Sequence, residues 1–136
     1  MRRLVDVNAR AQVLRPGERT NCSGKPVGSR VLLSIPDAEF RAIRPHLEFY
    51  ILVHHRILHE PSQKLEFAYF PNSGLVSLVV ATEDGKTVEA GVVGNEGMTG
   101  VPSAVGLRRN PLREVVQVSG DSFRIKVRNL QAVLQD

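Results

Sequence analysis

The chain has 136 residues, 42% of them hydrophobic and 24% charged, with no tryptophan, one cysteine and a formal net charge of +4. That length gives one domain a core of its own, while the lone Cys22 excludes an internal disulfide or a thiolate metal cluster and points to a reducing, cytoplasmic setting. No apolar run is long enough to cross a bilayer, and the opening MRRLVDVNARAQV lacks the continuous apolar centre of a signal peptide.

The positive charge sits at the start. Residues 1–30 carry Arg2, Arg3, Arg10, Arg15, Arg19, Lys25 and Arg30 against Asp6 and Glu18, seven against two for +5; eleven basic and twelve acidic residues remain, −1 in all. With Pro16-Gly17, Ser23-Gly24 and Pro26-Val27-Gly28, this segment reads as a flexible basic extension, and the folded domain is expected over 31–136. Such a tail attracts phosphate charge. Without an aromatic to stack on bases it is more simply a solvated lead-in, and at most weak, salt-sensitive and sequence-indifferent DNA binding is expected of it.

Ser34-Ile35-Pro36-Asp37 places a capping serine and an acidic residue ahead of Phe40, Ile43 and Leu47, whose spacing predicts a short amphipathic helix that Pro45 ends. The period then changes. Strands are predicted at Phe49–Val53, around Ile57 and Leu58, at Leu65–Phe70, Leu75–Thr82, Thr87–Val93, Val115–Val118 and Ser122–Val127. Asp84-Gly85 predicts a two-residue hairpin turn, since both positions tolerate positive φ, and Ser119-Gly120-Asp121 a turn joining the last two strands. Asn129 is expected to cap a closing helix at Leu130–Leu134. Many short strands with a helix before and after give a β-sandwich or rolled barrel.

Ile43–Leu47 (IRPHL), Ala68–Leu78 (AYFPNSGLVSL), Asp84-Gly85, Val88-Glu89, Val93–Gly100 (VGNEGMTG) and Val116–Gly120 (VQVSG), in this order and spacing, resemble a cyclic-nucleotide-binding-like domain, the sensor half of bacterial Crp/Fnr-type transcription regulators. The resemblance spans about Val31 to Asp136. It implies a double-stranded β-helix jelly roll flanked by short helices, with a long dimerisation helix and a helix-turn-helix expected after Asp136 in an intact regulator. The expectation is a sensor domain without a DNA-reading half in this chain, acting through a small-molecule effector and through a homodimer or pairing with a full-length regulator.

In nucleotide-binding members of that family, a Gly-Glu pair opens a short helix that cradles the phosphate, and an Arg followed by a small residue pairs with the phosphate bidentately. The corresponding candidates are Gly94, Glu96, Gly97, Met98 and Arg113. Here Asn95 separates Gly94 from Glu96, and Arg113 is followed by Glu114, which would set a carboxylate beside a bound phosphate; Arg108 and Arg109 offer charge from a loop. The cassette therefore reads as degenerate, a cyclic nucleotide is disfavoured, and no cofactor is expected. On the plainer reading Gly94, Gly97 and Gly100 shape a corner that needs positive φ, and Met98 plugs the core.

Two other classes compete with the sensor. A cupin-like metal enzyme shares the barrel, and His46, His54, His55 and His59 are its candidate ligands. Alternation would send His54 and His55 to opposite faces, and no histidine follows residue 59 to supply a second strand, so these read as surface or half-buried side chains and no metal site is assigned. A Gly-x-Ser-x-Gly elbow is absent and Cys22 has no nearby histidine, so no catalytic residue is assigned. A stand-alone protein-interaction module is the third class.

Overall fold

The computed structural model describes residues 13–100 and 112–134. Two short helices come first. Helix α1 (Arg30–Ser34) starts where the Ser29 hydroxyl accepts the Leu32 N–H at 3.3 Å, and it buries Leu32 and Leu33. Helix α2 (Asp37–Ile43) follows Pro36, carries Asp37 and Glu39 in its first turn where the helix dipole favours anions, and buries Phe40 and Ile43. Pro45 then confines the continuation to a 3₁₀ turn at Arg44–His46.

Among the described residues seven antiparallel strands form two sheets. Strands β1 (Glu48–Leu52), β7 (Gly120–Lys126) and β3 (Phe67–Pro71) make the first, in that order. Strands β2 (Ile57–His59), β6 (Arg113–Val118), β4 (Leu75–Ala81) and β5 (Thr87–Val93) make the second. Helix α3 (Val127–Leu134) closes the chain and buries Val127, Leu130 and Leu134. The architecture is mainly β, a jelly roll with short flanking helices: the strand pattern predicts a sandwich or rolled barrel, and the family resemblance implies the jelly roll. Among the described residues no helix is long and apolar enough to cross a membrane.

The first sheet has a face toward the helices and a face toward the barrel interior. Ala68, Phe70, Phe123 and Ile125 point to the helices and join Leu32, Leu33, Phe40, Ile43, Leu130 and Leu134 in the main core. A smaller cluster of Leu52, Val76 and Val116, with Tyr50, Leu58 and Val93 against it, fills part of the interior.

Four local expectations need correction. Residues 13–29 do not form a loose lead-in: Val27 is fully buried in the core, and the buried Arg19 donates to the carbonyls of Leu32 and Ile35 at 2.7 and 2.8 Å. Order therefore begins before Val31, because polar side chains tie this glycine- and proline-rich segment to the first helix. The β4–β5 loop is wider than two residues: Thr82 N–H donates to Lys86 O, and of Asp84 and Gly85 only Gly85 takes positive φ. Ser119-Gly120 is not a hairpin turn but a passage from one sheet to the other, since β6 and β7 do not pair. A Cβ at Gly120 would stand 2.4 Å from Ser73 O, and Gly74, at φ +80°, approaches Val118 O just as closely, so glycine is required on both sides of this contact. Finally, α3 begins at Val127, directly after β7, which leaves Asn129 inside its first turn and not at its cap.

Candidate functional site

The loop after β5 is fastened on three sides. Gly97 N–H donates to Gly94 O at 3.2 Å, closing a tight turn, and Gly94 N–H donates to Glu96 Oε1 at 3.3 Å. Asn95 O accepts the Arg30 N–H at 2.8 Å, which links the loop to the start of α1. Beyond Met98, half-buried against the main core as expected, Thr99 exchanges two bonds with the Tyr69 backbone, each 2.9 Å. Gly100 has φ +81°, and a Cβ there would come within 2.8 Å of Ala68 Cβ. The corner thus requires positive φ at Gly100, whereas Gly94 and Gly97 take ordinary values. Gly94 is instead held by space, since a Cβ would lie 2.9 Å from Glu96 Oε2 and 3.1 Å from Leu75 Cδ2.

Arg113 is not brought to this loop. It opposes Val79 on β4, whereas Val93, next to Gly94, opposes Val76. Three residues of strand rise, about 10 Å, separate the two levels, and β4 stands between β6 and β5. The Arg113 guanidinium pairs with the Glu60 carboxylate on the opposite side of its own strand. Glu114, expected beside a phosphate, points to the other face and is fully buried across from His59. Arg108 and Arg109 lie outside the described residues.

The histidines are scattered. His46 is exposed, and His54 and His55 occupy the exposed turn after β1. Their rings lie 3.7 Å apart and not on opposite faces, because His55 adopts φ 71° and breaks the strand alternation. His59 is only 4% exposed, against the expectation of a surface or half-buried side chain, because it turns to the space between the two sheets. Among the described residues no three His, Cys, Asp or Glu side chains come together as a metal-binding group.

A cavity of about 220 Å³ opens between the two sheets at the His59 end of β2. Tyr50, His59, Phe67, Tyr69 and Arg124 line it, with Gln63, Lys64 and Glu66 from the β2–β3 loop. The Arg124 guanidinium lies 4.3 Å from the Tyr50 ring centroid and 4.1 Å from that of Phe67, and its Nε–H donates to Glu48 at 3.3 Å. Burial pushes the Tyr69 phenol up to about 12, although a hydrogen bond with Arg124 pulls the other way. His59 Nε2 is buried without a hydrogen-bond partner. Sequence reasoning missed this group. The available signal was Arg124 between Phe123 and Ile125, a charge at an alternating position whose neighbours both face the core. The larger groove along Glu18, Arg19, Phe40, Arg41 and Arg44 is less suited to a ligand: Arg19 and Arg44 spend their donors on Leu32, Ile35, Thr20 and Asn21 carbonyls.

No protein-family profile and no curated protein matches the chain. Solved structures share the fold. One is the regulatory subunit of a cAMP-independent protein kinase A from Trypanosoma brucei, a mutant bound to cAMP in the A site, with TM-score 0.67, 16% identity and coverage of 76% of this chain and 39% of that one. Another is a cyclic nucleotide-binding-like protein from Brucella abortus, with TM-score 0.62, 20% identity and coverage of 76% and 88%. A third is the N-terminal domain of a transcriptional regulator from Streptomyces coelicolor, with TM-score 0.64, 18% identity and coverage of 76% and 73%. The chain therefore has the fold of cyclic-nucleotide-binding domains, and it spans 39% of the length of the kinase subunit.

Proposed function

We propose that this chain is a non-enzymatic sensor module of the Crp/Fnr type whose phosphate-binding cassette has lost its function. The observation that carries the second half is the commitment of the cassette candidates to partners inside the protein. Glu96 turns back onto Gly94 N–H, and Arg113 pairs with Glu60. A nucleotide would have to break an existing ion pair and cross a strand to engage both. The fold shared with regulatory domains supports the first half, as do the scattered histidines, which favour a sensor over a metal enzyme. Regulation would then run through a different small molecule and through contact with a second copy or a full-length regulator, and sequence-specific DNA binding is not assigned to this chain.

Isothermal titration with cyclic AMP and cyclic GMP tests the reading. The expected result is no heat of binding at micromolar concentrations, for the native protein and for Arg113→Ala alike. Tight binding that Arg113→Ala abolishes would overturn it.

A further inference from the structure

The cassette loop and the interior cavity are separate places. None of the cavity-lining residues belongs to Gly94–Gly100, and Arg113 points away to Glu60. The cavity has its own chemistry. Protein interiors seldom leave a buried polar side-chain atom unbonded, yet His59 Nε2 is one, on a residue that lines this space. Across it, Arg124 is oriented by two aromatic rings, and its bonds to Glu48 and Tyr69 engage only part of a five-donor fork. The Tyr69 hydroxyl keeps its proton and can donate.

We propose that this cavity is a binding site for a small carboxylate anion, held by Arg124, the Tyr69 hydroxyl and His59 Nε2. The guanidinium fork matches a carboxylate edge to edge. Size sets the scale of the ligand. At about 220 Å³ the space is smaller than the 300–1,000 Å³ typical of pockets for drug-sized molecules and holds roughly seven waters. Charge sets the valence. Arg124 and Lys64 face Glu66 at the mouth, Glu48 already on Arg124, and the buried Glu114 opposite His59. With two cations against three carboxylates the surround carries no positive surplus, so one negative charge is admitted more readily than the two of a phosphate. The inference stands on the barrel interior alone and holds whether or not the chain regulates transcription.

Titration of protein labelled with ¹⁵N-histidine, using acetate and propionate in one arm and inorganic phosphate in the other, tests it. The expected result is a saturable shift of the His59 ring nitrogens with carboxylate, half-complete in the millimolar range for so small a ligand, and a weaker response to phosphate. Arg124→Met should weaken carboxylate binding about tenfold or more, as loss of a charge-assisted bond does. Tyr69→Phe, which keeps the ring, should weaken it less and serves if Arg124→Met does not fold. Phosphate binding tighter than carboxylate, a response that never saturates, or one unchanged in the folded variants would each overturn the assignment.

Discussion

The two faces of the β1-β7-β3 sheet are built on different terms. Toward the helices, Phe70, Phe123 and Ile125 meet Leu32, Leu33, Phe40, Ile43 and Leu130 in a dense apolar core. Arg19, the buried cation among the described residues there, makes hydrogen bonds to two helix-end carbonyls and Asp37, with the Phe40 ring 4.7 Å from its guanidinium carbon. Toward the barrel, a small trio of Leu52, Val76 and Val116 gives way to Tyr69, Arg124 and His59 around open space. One sheet thus separates a side where the buried cation ties the chain together from a side where a small apolar cluster adjoins open space. Departures from full packing and full satisfaction of this kind concentrate where a protein does its work.

The strongest way to break that contrast is to cut the helix-side core. Phe123 is fully buried and packs edge to face with Phe49 at 5.7 Å. Phe123→Ala should cost about 3–5 kcal/mol, a large part of the about 5–15 kcal/mol that holds a domain of this size. Urea unfolding followed by circular dichroism measures it. A loss below about 1 kcal/mol would mean that the helix side is no better packed than the interior.

How much of this was legible in the sequence depends on the distance between partners. Strands β1 to β7 could be read because apolar alternation is local, and α2 because Pro36, Asp37 and the Phe40–Ile43 spacing lie within one turn. Helix α1 escaped because RVLLS is short and follows a glycine- and proline-rich run. The Ser119-Gly120 passage was misread because turn residues announce a bend and not which strand comes next to which. Within the site, the loop at Gly94–Gly100 was visible as a glycine cluster, but its ties to Arg30 and Tyr69 join residues far apart in the chain. The Glu60–Arg113 pair and the register that sets His59 opposite Glu114 likewise depend on strand pairing across more than fifty residues.

A smaller effect sharpens the comparison from the polar side. Arg19→Ala strands the Leu32 and Ile35 carbonyls at the end of α1 and should cost about 1–3 kcal/mol. Its exposed partner Asp37 is 82% accessible, so Asp37→Ala should change stability by less than about 1 kcal/mol. Midpoints of urea unfolding distinguish the two. Equal losses would show that the pairing with Asp37, and not the capping of carbonyls, is what Arg19 contributes.

The smallest effect comes from the barrel side and depends on pH. Burial raises the Tyr69 phenol from its ordinary 10 to about 12 in the folded chain, so the folded form keeps a proton that the unfolded form loses first. The linkage has one sign: the contribution is fully present below pH 10 and is lost as pH rises from 10 toward 12. A rise from 10 to about 12 corresponds to about 2.7 kcal/mol, and screening by water in the adjoining cavity should hold the loss to about 2 kcal/mol or less. Lysines titrate in the same range, so the useful quantity is a difference. Unfolding midpoints of the native protein and of Tyr69→Phe, compared from about pH 9 to about pH 11.5, should diverge, with the native protein falling faster because the variant has no phenol to deprotonate. Parallel curves would mean that water reaches the Tyr69 hydroxyl freely, and the interior would then be an open cleft without the low dielectric on which its affinity for a carboxylate depends.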